Sequence, residues 1–315
     1  MSATAVVFAY HDVGVRCLSA LLAHGVDIPL VVTHRDNPAE TIWFASVERA
    51  ARDHALAVES PADPNAQAFV ERLRALAPDF LFSFYYRHML SCEVLASAKR
   101  GAYNVHGSLL PKYRGRVPVN WAVLHGERET GATLHRMEAK PDAGPIVDRM
   151  AVPILPDDLA VDVFRKVTLA AEIVLYRSLP RLLDGSAPHV EQDLSQGSYF
   201  GGRRPEDGCI DWSRDARAIH DLVRAVAPPY PGAFTEIAGR RLGIHRTRVL
   251  DERGPAGEPR LRLDEGHATL DCADGGRLRV LAMTLDGHEA DTKLLRQRLG
   301  DGPHRLPITP ASRLP

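Results

Sequence analysis

An asparagine and a histidine two residues apart, Asn104 and His106, stand in the stretch "NVHGSLLPKYRG". The residues "AYNVH" are typical of a strand, and side chains at positions i and i+2 of a strand share one face. An amide can donate a hydrogen bond to a developing oxyanion, and an imidazole can take or give a proton. The pair therefore favours acyl transfer through a tetrahedral intermediate, with two satisfied polar groups at a strand end as the alternative.

This chemistry needs a carboxylate that orients or biases the histidine. The stretch "MEAKPDAGPIV" offers Asp142 on a loop after the next strand, and Glu138 is the less favoured candidate. The loop after the histidine carries three cations, Lys112, Arg114 and Arg116. These cations either bind an anion or form a solvated loop surface, and spacing alone leaves both interpretations open.

The elements that must position these residues alternate between strands and helices. Apolar runs of strand length ("AVVFAY", "IPLVVTH", "FLFSFYY") are separated by segments with helical spacing, including "IWFASVERAARDHA". The pattern predicts an α/β fold: a Rossmann-like, mostly parallel sheet with helices on both faces, and ligands at the carboxyl ends of its strands. A long helix is predicted from about Asp158 to Leu183, with one face formed by Val163, Val167, Ala170 and Val174.

The chain is predicted to divide into four regions. Residues 1–185 form a catalytic domain, and the polar, glycine-rich residues 186–208 form a linker or loop. Short alternating runs and the hairpin turn "CADGGR" predict a smaller β-rich, OB-like domain over residues 209–305. The proline-containing residues 306–315 are expected to form a flexible tail.

Composition and missing motifs argue against several classes of function. Lys and Arg total 39 against 40 Asp and Glu, so no bulk charge favours a nucleic acid partner. The four cysteines lack CxxC spacing and no HExxH occurs, so neither a metal site nor a disulfide framework is predicted. The first β-α turn, "FAYHDVG", lacks GxGxxG, which argues against NAD. Without a basic leader or a membrane-length apolar run, we expect a cytoplasmic protein with no membrane insertion.

The ordered motifs resemble a known family. "NVHGSLLPKYRGRVPVNWA" followed by "ETGATLHRMEAKPDAGPIV" resembles the formyltransferases that use 10-formyltetrahydrofolate, whose signature is Asn-x-His, an SLLP loop and a downstream Asp. "VVFAYHDVG", "THRDNPAE", "FLFSFYYRHML", "FGGRRPEDGCIDW" and "LVRAVAPPYPGAF" are similar to the branch that formylates UDP-4-amino-4-deoxy-L-arabinose, and the similarity extends to about Gly300. The resemblance implies a stand-alone enzyme, without the fused decarboxylase of many relatives, in lipid A modification and polymyxin resistance.

Residue roles follow from the resemblance, position by position. It implies that His106 is the catalytic acid and base, that Asn104 stabilises the oxyanion and that Asp142 raises the basicity of the histidine. It also implies that the 10-formyltetrahydrofolate co-substrate is bound without a metal, largely through backbone groups, by His88, Met89, Leu90, Arg116, Glu138, Ala139, Lys140 and Pro141. An extra glycine in "GGRRP" leaves the roles of Arg203 and Arg204 open.

The sequence motifs are compatible with several alternatives. The acceptor could be another nucleotide-linked amino sugar, such as a dTDP-4-amino-6-deoxyhexose, with the same catalytic residues. Methionyl-tRNA formyltransferase is less favoured because its first turn usually reads "FAGTP". A 10-formyltetrahydrofolate hydrolase and a catalytically silent binding module are further alternatives. The sequence leaves open whether apolar faces of the second domain bury against the first domain or form a homo-oligomer.

Overall fold

The computed structural model describes residues 2–38, 40–264 and 266–308, and these residues cluster into two compact units. The first unit comprises the described parts of 1–118, 129–153 and 164–201, and the second those of 119–128, 154–163 and 202–315. Two segments from within the predicted catalytic domain thus cluster with the C-terminal residues, and the linear boundaries at 185, 208 and 305 stay predictions.

Strands and helices alternate along the chain up to residue 106, as the sequence predicts. In chain order they are β1 (Thr4–Ala9), α1 (His11–Ala23), β2 (Asp27–Val32), α2 (Val47–Asp53), β3 (Val58–Glu59), α3 (Gln67–Leu76), β4 (Phe80–Phe84), α4 (Cys92–Leu95), β5 (Gly101–His106), β6 (Arg114–Gly115), α5 (Pro118–Leu124), β7 (Glu129–Arg136), β8 (Ile146–Pro153), α6 (Ala160–Asp184) and β9 (Tyr199–Phe200).

Seven strands of the first unit form one sheet in the order β3-β2-β1-β4-β5-β7-β8. The pairs from β3 to β5 are parallel, whereas β7 runs antiparallel to both β5 and β8. Residues Ala5 to Ala9 of β1 are completely buried, as expected for a central strand covered on both faces. The mostly parallel, Rossmann-like sheet is therefore confirmed.

The helix predicted over residues 42–55 is shorter than expected. It begins at Val47 because the Ser46 side chain accepts a hydrogen bond from the Arg49 amide and caps the N-terminus. The preceding aromatic residues pack elsewhere: the rings of Trp43 and Phe44 lie 4.7 and 3.9 Å from the ring of His11. The apolar residues among positions 42–46, which predicted five more residues of helix at the N-terminal end, thus pack against the first β-α turn.

The long helix α6 matches its prediction closely. It runs over Ala160–Asp184, and the four residues predicted to share its buried face are all buried, namely Val163, Val167, Ala170 and Val174. None of the helices among residues 2–38, 40–264 and 266–308 combines the length and apolarity needed to cross a membrane.

The second unit contains a curled antiparallel sheet. Its elements are α7 (Ala216–Val226), β10 (Ala233–Ile237), β11 (Arg240–Leu250), β12 (Arg260–Asp264), β13 (His267–Asp271), β14 (Arg277–Leu285), β15 (His288–Glu289), α8 (Thr292–Leu299) and β16 (His304–Arg305). The strand order is β10-β11-β14-β13-β12-β16, with β15 beside β14. This confirms the β-rich C-terminal fold, and the turn "CADGGR" does join two antiparallel strands.

The C-terminal end differs in part from the predicted tail. Helix α8 was not predicted, because its polar sequence carries a weak apolar pattern and only Leu295 is buried. Leu306 is also buried, and its amide donates to the Pro259 carbonyl. The remaining tail prediction, over residues 309–315, lies outside the described residues.

Candidate active site

The site lies at the carboxyl end of β5 in the first unit. Asn104 and His106 occupy this strand two residues apart, between the parallel neighbour β4 and the antiparallel neighbour β7. Asn104 is half-buried, and His106 is 7% exposed. Both polar side chains are therefore held by a rigid, fully paired strand, as the i and i+2 spacing predicts.

The loop after β5 turns back to hold the His106 ring. His106 Nε2 lies 2.8 Å from the carbonyl oxygen of Tyr113. The Ser108 hydroxyl donates to the Lys112 carbonyl at 2.6 Å and tightens the same turn. Because a carbonyl only accepts, Nε2 carries a proton and donates it to Tyr113. The remaining nitrogen, Nδ1, is the atom that can exchange a proton with a substrate.

Asp142 faces that nitrogen from the loop between β7 and β8. Its Oδ1 lies 3.5 Å from His106 Nδ1, and its Oδ2 accepts a hydrogen bond from the Gly115 amide at 2.9 Å. The structure thus brings together the three residues predicted to be catalytic. Glu138, the less favoured carboxylate, is exposed.

The Asp142 loop is tightly constrained. Asp142 itself has a φ of 51°, a left-handed conformation that is uncommon for a residue with a side chain. The Gln192 side chain donates to the carbonyls of Asp142 and Gly144 at 3.1 and 2.6 Å. A Cβ at Gly144 would lie 2.2 Å from the Arg136 carbonyl oxygen, so only glycine fits there. The position of the carboxylate is therefore set by backbone contacts on several sides.

Two opposing effects set the ionisation of Asp142. Burial by itself raises its pKa, but the His106 ring and the Gly115 amide outweigh burial and hold the pKa of the carboxyl well below its ordinary value. Asp142 is therefore a carboxylate across the physiological range, and it favours a positive charge on the imidazole that it faces.

His135 also belongs to the site, although no sequence motif pointed to it. Its Nε2 lies 3.1 Å from Asn104 Nδ2 and 3.6 Å from Asp142 Oδ1. The signal available in the sequence was a lone histidine in "GATLHR", a strand that is otherwise apolar at its centre. Its partner could not be read locally because Asn104 lies 31 residues earlier.

The residues predicted to bind folate occupy two segments of the first unit. His88, Met89 and Leu90 follow β4, and Asn65 holds this segment by donating to the Met89 carbonyl at 2.9 Å and accepting from the Ser91 amide at 2.7 Å. The second segment is the loop that leads to Asp142, Glu138 to Pro141, of which Glu138, Ala139 and Lys140 are exposed.

One hydrophobic cluster connects the two segments. Leu90 is part of it, and Met137, directly before the second segment, packs against it. Arg116 is exposed, and its amide donates to the Phe200 carbonyl at 2.9 Å. The structure thus brings the two segments to the same cluster, while the folate contacts themselves stay predictions.

Aromatic and histidine rings cluster at the carboxyl ends of β1, β2 and β4. His34 stacks on Tyr86 at 4.1 Å, and its Nε2 accepts from the Arg87 amide at 2.9 Å. The Arg87 guanidinium lies 4.8 Å from the centre of the Tyr10 ring. Burial, with smaller contributions from the charges of His88 and Arg87, lowers the pKa of His34 to about 4, so this ring is neutral at pH 7.

Within the described part of the chain, no group of three or more His, Cys, Asp or Glu residues is arranged to hold a metal ion.

Comparison with protein families decides the classification. Residues 10–179, more than half of the chain, match the model of the formyl transferase family, and residues 203–293 match the formyl transferase C-terminal domain. The chain belongs to the formyltransferase family. The broad resemblance drawn from the sequence motifs is thereby confirmed, and the signature residues of this formyltransferase are the ones that surround β5.

Solved structures share the fold of this formyltransferase at low sequence identity. An N-formyltransferase from Helicobacter canadensis, in complex with folinic acid and dTDP-3-aminofucose, has a TM-score of 0.73 and 19% identity, covering 89% of this chain and 99% of that one. WlaRD, a sugar 3-N-formyltransferase solved with dTDP and 5-N-formyl-THF, has a TM-score of 0.72 and 19% identity, covering 89% and 97%. A 4-N-formyltransferase from Francisella tularensis has a TM-score of 0.60 and 19% identity, covering 74% and 91%.

Proposed function

We propose that this formyltransferase transfers the formyl group of 10-formyltetrahydrofolate to the amino group of a nucleotide-linked amino sugar. The observation that carries the proposal is the joint placement of Asn104, His106 and Asp142, with the carboxylate facing His106 Nδ1. Family membership supports the reaction class, and the fold-level likeness to sugar N-formyltransferases supports the acceptor class.

The first step is attack of the neutral sugar amine on the formyl carbon. The new C–N bond forms, and the π electrons of the formyl C=O move to oxygen. The Asn104 amide donates a hydrogen bond to this oxyanion. The attacking nitrogen, now positively charged, loses a proton to His106 Nδ1, since Nε2 already donates to Tyr113.

The second step returns the proton to the leaving group. The oxyanion re-forms its C=O bond, the bond from the formyl carbon to folate N10 breaks, and His106 gives the proton to N10. The products are tetrahydrofolate and the N-formyl sugar. Asp142 stabilises the imidazolium that exists between the two proton transfers, because its carboxylate remains ionised next to Nδ1.

The folate pocket is assigned to the two segments of the first unit that approach the same hydrophobic cluster. We propose that His88, Met89 and Leu90 bind on one side and Glu138, Ala139, Lys140 and Pro141 on the other, with Arg116 as a further contact. The anchoring of the Met89 segment by Asn65 supports this assignment, because a pocket that binds through backbone groups needs a fixed backbone.

For the acceptor we propose UDP-4-amino-4-deoxy-L-arabinose, as in lipid A modification and polymyxin resistance. The support is the similarity of the stretches "FAYHDVG", "THRDNPAE" and "FSFYYRHML" to the formyltransferases that act on this sugar nucleotide. A dTDP-linked amino sugar is the second candidate, favoured by the ligands of two fold neighbours. Methionyl-tRNA is the least favoured acceptor. A cytoplasmic location, no nucleic acid partner and a homo-oligomeric state also stay predictions.

The test is a panel of acceptors with the purified protein. Each reaction contains 10-formyltetrahydrofolate and one of UDP-4-amino-4-deoxy-L-arabinose, a dTDP-4-amino-6-deoxyhexose, methionyl-tRNA or no acceptor, and products are identified by mass spectrometry. A formylated UDP-pentose supports the proposal in full, and a formylated dTDP-sugar supports the second candidate. Formation of formyl-methionyl-tRNA would contradict the proposal and indicate a methionyl-tRNA formyltransferase. Release of formate without an acceptor would contradict it and indicate a hydrolase.

A further inference from the structure

His135 faces Asn104 across the two antiparallel strands β5 and β7. The two residues are direct partners in the strand register, and Asn104 Nδ2 lies 3.1 Å from His135 Nε2. The ring of His135 is 1% exposed, so water does not compete for this hydrogen bond. The Asn-x-His, SLLP and Asp signature of the family does not include this residue.

The contact made by the other ring nitrogen, Nδ1, determines which side chain is the donor in the hydrogen bond between Asn104 and His135. His135 Nδ1 lies 2.9 Å from the carbonyl oxygen of Arg136. A carbonyl only accepts, so Nδ1 carries the proton, and Nε2 of the neutral ring is an acceptor. Nε2 therefore accepts from Asn104 Nδ2. The carboxylate oxygen of Asp142, at 3.6 Å, is beyond good hydrogen-bond distance from Nε2.

We propose that His135 is a positioning residue that fixes the orientation of the Asn104 amide. The inference rests on the proposed function, in which Asn104 donates to the oxyanion. One Nδ2 hydrogen is held by His135, and the second remains for the formyl oxygen. Rotating the amide by 180° would place Oδ1 against the lone pair of Nε2 and turn the donor nitrogen away.

Two substitutions separate positioning from packing. His135→Gln keeps an oxygen acceptor at about the reach of Nε2, whereas His135→Leu fills a similar volume without one. We expect His135→Leu to lower kcat by about 10²-fold, the effect of a misplacement of about 1 Å, and His135→Gln by less than about 10-fold. The dissociation constant for 5-formyltetrahydrofolate should change by less than about two-fold in both variants, because His135 is not assigned to the folate pocket.

A double-mutant cycle with Asn104→Ala tests whether His135 acts through Asn104. In the Asn104→Ala background, His135→Leu should cost no further activity, because the group it orients is gone. If the two losses of kcat multiply in the double variant, the inference is overturned. Equal losses of kcat in His135→Gln and His135→Leu, with unchanged thermal stability, would also overturn it.

A spectroscopic measurement keeps the inference separate from the proposed function. Long-range ¹H–¹⁵N spectra of the ¹⁵N-histidine-labelled protein at pH 7.5, with the His135 signal assigned by its loss in His135→Gln, report the tautomer without any turnover. We expect the Nδ1–H tautomer. An Nε2–H tautomer or a doubly protonated ring would overturn the inference even in an active enzyme. Absence of transfer to every acceptor would instead overturn the proposed function.

Discussion

His106 Nε2 and the Tyr113 carbonyl oxygen are 2.8 Å apart, which joins the end of β5 to the loop that follows it. This contact explains why so many residues separate the Asn-x-His pair from the next helix. The loop returns to the imidazole, fixes its tautomer and leaves Nδ1 toward Asp142. The backbone of the same motif therefore determines that Nδ1 of His106 is the nitrogen proposed to carry the proton.

The ionised state of Asp142 predicts how stability depends on pH. Its pKa in the folded protein is lower than the value of 3.8 for an unperturbed side chain, so its contribution to stability is complete above about pH 3.8 and is lost as the pH falls through the folded pKa. Thermal melts of wild type and Asp142→Asn should differ more at about pH 5 than at any lower pH, and the difference should shrink toward about pH 2. Below about pH 3.8, wild type should lose stability relative to the variant.

The activity of Asp142→Asn gives a second readout of the same residue. An amide keeps the Gly115 hydrogen bond but cannot stabilise the imidazolium, so kcat should fall by about 10²-fold, the low end of a general acid–base contribution. Unchanged kcat and an unchanged pH–rate profile would remove Asp142 from the mechanism.

Gly144 is predicted to be essential for the shape of the Asp142 loop. The Cβ in Gly144→Ala would meet the Arg136 carbonyl oxygen at 2.2 Å, so the loop must shift. We expect a loss of about 1–3 kcal/mol in the free energy of unfolding, measured by urea titration, and a lower kcat. Gly257→Ala is the matched control, because its Cβ would have no atom within 4 Å. Equal stability of the two variants would contradict the close approach of Gly144 to the Arg136 carbonyl.

Asn65 is predicted to act on co-substrate affinity alone. Asn65→Ala removes both hydrogen bonds that hold the Met89 segment, each worth about 0.5–1.5 kcal/mol. The dissociation constant for 5-formyltetrahydrofolate, measured by calorimetry, should rise by about 10-fold, while kcat at saturating donor stays within about two-fold. A normal dissociation constant would argue against the assignment of His88 to Leu90 to the folate pocket.

Local periodicity was sufficient to predict the alternating fold and the long helix α6. It also placed Asn104 and His106 on one face, because that relationship depends only on strand geometry. The predicted start of α2 was wrong because Trp43 and Phe44 pack on His11, a contact between residues that are distant in the sequence. His135, Gln192 and Asn65 were missed for the same reason. Each acts on a partner from another segment, and only the strand register or loop path brings the two together.

The central claim is that Asn104 and His106 carry out formyl transfer, and single-turnover rates test it most directly. Wild type, Asn104→Ala and His106→Ala would be saturated with 10-formyltetrahydrofolate, mixed with UDP-4-amino-4-deoxy-L-arabinose and quenched for mass spectrometry of the formylated sugar. We predict a rate loss of about 10²- to 10³-fold or more in each variant, with folate affinity and melting temperature close to those of wild type. Near-normal rates in both variants would contradict the account.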